Sequence, residues 1–236
     1  MPRQKLRFYC FSPPIMLATF AVEIVAALLL LVTYKSSRLQ RLSVVTLLLL
    51  ATFQLAEYNV CGRLGVDAQT WSRIGYVAIT LLPPLGLHIV YEIGKRKFDW
   101  LLALAYGSGA VFAGLFAFGS VFESYACGGN YVIFQLQNPA GGLFMIYYYL
   151  WLFYTIFLAV LLMHQKRLAH RRKTALLNLI IGYALFMVPT SLAIVMFPES
   201  ADALPSVMCG FAVLFALVLT FMVVPYTEKK KPTRRS

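Results

Sequence analysis

Seven apolar stretches, each of bilayer-crossing length and separated by short polar connections, leave this chain little to build with except a membrane-embedded helical bundle. They run from Ile15 to Tyr34, Ser43 to Val60, Ile74 to Ile93, Trp100 to Phe122, Gly142 to His164, Ala175 to Phe197 and Leu204 to Tyr226. A helix needs roughly 20 apolar residues to cross roughly 30 Å of hydrocarbon, and all but Ser43 to Val60 meet that length. That shortest stretch carries Gln54, Glu57 and Asn59, which makes its outer end the hardest boundary to place. Continuous runs such as Leu28 to Val32 and Leu47 to Leu50 exclude the alternating pattern of a transmembrane barrel, so the backbone must satisfy itself within helices.

The expected fold is therefore all-α: a short outer segment (residues 1–14), one seven-helix membrane domain (residues 15–226) and a basic tail (residues 227–236). With 60% hydrophobic and 13% charged residues, no stretch remains for a water-soluble domain of ordinary size. The first helix runs about 20 residues with no small-x-small cleavage site after it, and is expected to be a retained span.

The net charge of +12 is not a nucleic-acid footprint, because it alternates by loop. Lys35, Arg38 and Arg41 follow helix one, Lys95 to Lys97 follow helix three, Lys166, Arg167 and Arg171 to Lys173 follow helix five, and Lys229 to Lys231, Arg234 and Arg235 form the tail. These are sixteen of the 21 basic residues. The remaining connections hold Arg63 and Arg73 against Asp67, Glu123, Glu199 and Asp202. By the positive-inside rule the N-terminus is outside and the C-terminus cytoplasmic. Arg3, Lys5 and Arg7 dissent and are outnumbered. The tail reads first as a topology signal; contact with anionic lipid or a cytoplasmic partner is the other use of such a segment.

In that topology Cys10, Cys61 and Cys127 are outer and Cys209 lies in the outer half of helix seven, so a Cys61–Cys127 disulfide is open, although spacing does not fix the pairing. With no CxxC and only His88, His164 and His170 present, no metal site or cofactor is expected. No phosphate loop, GxSxG elbow, HExxH or intramembrane aspartate pair suggests an enzyme, and the last helix lacks the lysine that a retinal Schiff base needs.

Polar residues within the hydrocarbon are the best pointers to a site. Glu23 and Gln54 fall at similar nominal depth and could share a hydrogen bond. Gln54, Glu57 and Cys61 line one face of helix two, with Tyr58 beside it. Trp71, Arg73 and Tyr76 open helix three on the same side, which places the Arg73 guanidinium near Glu57 either as a clamp or as part of a ligand pocket. Pro83-Pro84 predict a break in helix three that leaves carbonyls near residues 79 and 80 without helical partners, with His88 one turn beyond. Pro189 predicts a second kink, next to Thr190 and Ser191. Ala105, Gly109, Ala113 and Ala117 form a small-residue ridge for close intramolecular packing. Tyr147, Tyr148, Tyr149, Trp151 and Tyr154 cluster in helix five, beneath a Cys127–Gly142 loop in which a β-hairpin through Tyr131 to Phe134 is possible. The candidate ligand-binding set is Gln54, Glu57, Tyr58, Arg73, Tyr76, His88, Tyr148 and Trp151.

Glu57, Trp71-x-Arg73-x-x-Tyr76, Leu82-Pro83-Pro84 with His88 and Tyr91, and Asn138-Pro139-Ala140-Gly141-Gly142 before an aromatic helix together resemble the seven-helix membrane region at the N-terminus of some bacterial sensor histidine kinases. The resemblance covers about residues 15 to 226. It implies a sensory role; no kinase segment follows in this sequence, so the implied output passes through a separate protein. The expected function is a receptor module that binds a small-molecule or lipid ligand in an outer-facing pocket, without nucleic acid and without catalysis. The alternative is a small-solute transporter with a three-plus-one-plus-three helix repeat, although the Pro-Gln motif of one such carrier family is absent. A structural subunit of a larger membrane complex is the third reading.

Overall fold

The computed structural model describes residues 13–62, 67–127, 132–196 and 203–231. Its helices are α1 (Pro13–Thr33), α2 (Arg38–Gly62), α3 (Ala68–Thr80), α4 (Leu82–Gly94), α5 (Trp100–Phe118), α6 (Ala140–Met163), α7 (His170–Met196), α8 (Leu204–Val218) and α9 (Val224–Thr227); a π-helical turn, Leu219–Val223, joins the last two. They form seven spans long and apolar enough to cross a membrane, α3 with α4 making the third and α8 through α9 the seventh. The chain is thus a mostly helical, multi-pass membrane protein. Large apolar side chains such as Val32, Val111, Phe118 and Val195 point outward, as lipid-facing residues do.

The short second stretch is extended at its start. α2 begins at Arg38, five residues before Ser43, with the Ser37 hydroxyl accepting from the Gln40 N–H at 3.0 Å as an N-cap does, and the buried Gln40 side-chain amide donates to the Leu30 carbonyl. Helix four, expected to reach Phe122, ends at Phe118. Gly119 leaves helical geometry with ψ 166°, and strand β1 (Phe122–Cys127) begins three residues later. It pairs antiparallel with β2 (Val132–Leu136), so a hairpin does cross this loop. Phe122 and Phe134 from the hairpin pack edge-on against Tyr76 of α3, which also meets Phe116 of α5 and Phe144 of α6. The hairpin is thereby fixed to one end of the bundle, here called the hairpin end; the opposite, basic end carries the lysine- and arginine-rich connections.

The break at Pro83-Pro84 divides the third span into α3 and α4 at Leu81. Pro84 has no N–H to donate to the Thr80 carbonyl. That carbonyl instead accepts a 2.7 Å hydrogen bond from the Tyr147 hydroxyl of α6. Gly109 makes room for it, since a β-carbon there would lie 2.9 Å from the Tyr147 oxygen. Ala105 and Gly109, the buried members of the ridge on α5, thus serve intramolecular packing. Around Pro189 the Thr190 and Ser191 hydroxyls turn back onto the Phe186 and Met187 carbonyls. In the seventh span the π-helical turn precedes Pro225, and the widened turn presents the Met222 carbonyl to the Asn178 side chain of α7 at 2.6 Å.

The described start of the tail, to Lys231, is joined to the end of α1. Lys35 and Lys231 donate backbone N–H groups to Lys229 and Thr33, and the Lys231 ammonium reaches the Leu31 carbonyl at 2.7 Å. A cation on the last carbonyls of α1 opposes the negative end of its dipole.

Candidate functional site

Two clefts lie at opposite ends of the bundle. The one at the hairpin end has a volume of about 400 Å³ and is bounded by Tyr76, Phe134, Phe144, Met145, Leu204 and Pro205, with Gly142 on its rim. Beneath it runs a set of buried polar side chains from three helices. Glu57 of α2 is 1% exposed and accepts a hydrogen bond from Ser206 of α8, while its Oε1 has no partner. Ser206 directly follows Pro205 of the cleft wall, and Tyr76 is close enough to Glu57 for their charges to interact, so Glu57 sits just under the cleft. One turn deeper on α2 the Gln54 Nε2 is unpartnered at 2% exposure. Glu23 of α1 is fully enclosed, lies within electrostatic reach of Glu57, and has neither oxygen bonded among the described residues. The free thiol of Cys209 lies one turn on from Ser206, within electrostatic range of both carboxyl groups.

Among the described residues neither Glu23 nor Glu57 makes a salt bridge. A buried polar atom without a partner costs about 1–3 kcal/mol, more if it is charged. Four such atoms in one region therefore mark the place where this bundle departs furthest from what packing alone requires.

Three sequence expectations are corrected. Arg73 does not meet Glu57: its Nη1 and Nη2 donate to the Ala117 and Gly119 carbonyls at 3.1 and 3.2 Å. The cause is orientation, since Glu57 faces α8 whereas Arg73 faces the C-terminus of α5, whose free carbonyls attract a cation. Glu23 and Gln54 share no hydrogen bond. Because α2 starts early, Glu23 stands about ten residues above the basic end on α1 and Gln54 about sixteen on α2, a backbone difference of roughly 9 Å at about 1.5 Å per residue. His88 is the third correction, for it belongs to the other end. Its Nδ1 pairs with the Tyr106 hydroxyl at 2.9 Å and its Nε2 lies 3.9 Å from Glu92, in the wall of the basic-end cleft.

Of the remaining candidates, Tyr76 lines the upper cleft and Tyr148 lines a small cavity of about 20 Å³ that continues from it along Leu204, Met208 and Cys209. Trp151 is occupied with the Ser108 hydroxyl at 3.1 Å, and Tyr58 is half-buried against the core. Ser206 and Cys209 were not among the expected site residues. Their i, i+3 spacing directly after Pro205, at the start of the last span, is the signal that would have placed both on one helical face. Cys61 is disulfide-bonded; the Cys127 side chain and all of Cys10 lie outside the described residues, and Cys209 is a free thiol.

At the basic end Asp99 caps α5, accepting from the Leu101 and Leu102 N–H groups, from the Tyr91 hydroxyl at 2.8 and 2.9 Å and from Arg96 at 3.1 Å. Burial works to raise the Asp99 pKa, but the Tyr91 hydrogen bond, the two backbone donors and Arg96 together outweigh it and hold the carboxyl below its ordinary value. Among known protein families no model matches this chain, and no curated protein matches it either.

Proposed function

We propose that this protein is a membrane-embedded receptor module that admits a small or lipophilic ligand to the hairpin-end cleft and passes its occupancy to a separate signalling protein at the basic end. The observation that carries the reading is the cleft standing over unpartnered, almost fully buried polar atoms of Glu57, Gln54 and Glu23. The wall mixes apolar and aromatic side chains with Gln135 and Asn138, and apolar contacts with a few polar groups that fix orientation are usual in small-molecule sites. Carboxyl oxygens waiting for donors favour a ligand with N–H or O–H groups on an apolar body. The loop charges support an outer position for this cleft and a cytoplasmic position for the basic end; the resemblance to bacterial sensor regions suggests a bacterial cell membrane. Leu81, where the third span breaks, lies one turn and a half from Tyr76 and gives a joint through which occupancy can reach α4.

The test uses the open position at Gly142, where an added β-carbon meets nothing within 4 Å. Gly142→Trp should fill the cleft without disturbing the fold. Mass spectrometry of small molecules that co-purify with the protein should find a species on the parent that is absent from the variant. Identical profiles would refute the reading.

One feature favours a carrier instead. The third and seventh spans, which correspond in a three-plus-one-plus-three plan, are both interrupted beside prolines, at Leu81 and at Leu219–Val223. Counterflow of the co-purified molecule in proteoliposomes separates the two: accumulation identifies a carrier, binding without accumulation a receptor.

A further inference from the structure

The basic-end cleft, about 530 Å³ in volume, has five cationic side chains in its wall, Arg38, Lys95, Arg96, Lys97 and Arg172, against the single carboxylate of Glu92. Three of the five are already committed. Arg172 of α7 donates to the Glu92 and Ile93 carbonyls at 2.8 and 2.7 Å and so closes the end of α4. Arg38 of α2 stands 3.8 Å from Glu92, and Arg96 pairs with Asp99 at 3.1 Å while lying over the Tyr91 ring. Lys95 and Lys97 make no ion pair among the described residues. Lys95 also occupies the left-handed cap of α4 at φ 53°, a position that glycine holds without strain. The cleft is therefore a concave, solvent-open excess of positive charge. Phe98, 63% exposed in its wall, and Trp100, 71% exposed beside it, are the amphipathic and apolar rings expected where headgroups meet hydrocarbon.

We propose that this cleft binds a phosphate-bearing anion, held chiefly by Lys95 and Lys97 with Arg38 at its rim. Lysine ammonium groups serve as unpaired point charges for phosphate, and basic pockets between membrane helices on the cytoplasmic side take phospholipid headgroups. The phosphate can be that of a lipid or that of a soluble compound, and the site is independent of the hairpin-end cleft.

The experiment compares the full chain with two doubly substituted variants that lose the same charge: Lys95→Gln with Lys97→Gln in the cleft, and Lys166→Gln with Arg167→Gln in a loop that does not line it. Each protein is placed in phosphatidylcholine nanodiscs and titrated with inorganic pyrophosphate, and, in parallel, is extracted from membranes containing phosphatidylglycerol and weighed by native mass spectrometry. Saturable binding of either probe should weaken about tenfold or more in the cleft variant and change less than about twofold in the loop variant. Retention of phosphatidylglycerol identifies a lipid source, saturation by pyrophosphate a soluble one, and both together a site that reads only the phosphate. Absence of saturable binding to either probe, or equal weakening in the two variants, overturns the proposal and leaves the charge as a topology signal.

Discussion

Tyr147→Phe isolates the hydrogen bond that the Pro83-Pro84 break makes necessary. The substitution keeps the ring in place and removes the one hydroxyl that reaches the Thr80 carbonyl, which is fully buried and cannot turn to water. Orphaning a buried acceptor costs about 1–3 kcal/mol, whereas interhelical hydrogen bonds in membranes average about 0.6 and reach about 1.7 kcal/mol. Both partners here are enclosed and Pro84 leaves no competing donor, so a loss of about 1–2 kcal/mol is expected. For a chain of this size that lowers the melting temperature by about 2–8 °C. The buried, free Cys209 provides the readout, as a thiol-reactive fluorophore in detergent reports its exposure on unfolding. Pro84→Ala restores an N–H directed at the same carbonyl, so Tyr147→Phe in that background should cost less than about 0.5 kcal/mol. Gly109→Ala, which drives a β-carbon against the Tyr147 oxygen, should reproduce the loss in the parent and add little to Tyr147→Phe. An unchanged melting temperature in Tyr147→Phe, or an equal loss with and without Pro84, would refute the reasoning.

Arg73→Gln should lower stability by about 1–2 kcal/mol by uncovering the Ala117 and Gly119 carbonyls; in a double-mutant cycle with Glu57→Gln that loss should be the same in either background, because the two side chains do not meet. For Asp99, a folded pKa held below its unfolded value means that its contribution is complete above the ordinary aspartate value of about 4 and fades as pH falls through the lower folded value. Melting curves recorded from pH 6 downward should therefore lose stability in the parent at the acid end, and Asp99→Asn should be less stable at pH 6 with a flatter profile.

How much of this was legible beforehand follows from the range of each interaction. The seven spans and the break at Pro83-Pro84 are local: apolar run length and a missing backbone donor are properties of consecutive residues, and the structure places the orphaned Thr80 carbonyl where the prolines put it. Partners across helices are not local. Arg73 and Glu57 occupy the same end of adjacent spans, yet each turns to a third helix, Arg73 to α5 and Glu57 to α8, because helix rotation decides which face meets which neighbour. Ser206 is not singled out by the sequence, and Cys209 only as an outer-half cysteine, for the same reason, being small polar residues in an otherwise apolar span. The charge pattern of the tail points to topology, lipid or a cytoplasmic partner, but not to the Lys231 contact with Leu31, which joins residues two hundred positions apart.

The most direct test of the receptor reading is Glu57→Gln, measured for both stability and ligand retention. Glutamine keeps an oxygen for Ser206 and removes a carboxyl group whose other oxygen has no partner in the bundle, so the melting temperature should hold or rise. The small molecule that co-purifies with the parent should be lost. Retention of that molecule at the parent's stoichiometry by a variant that melts like the parent would contradict the account.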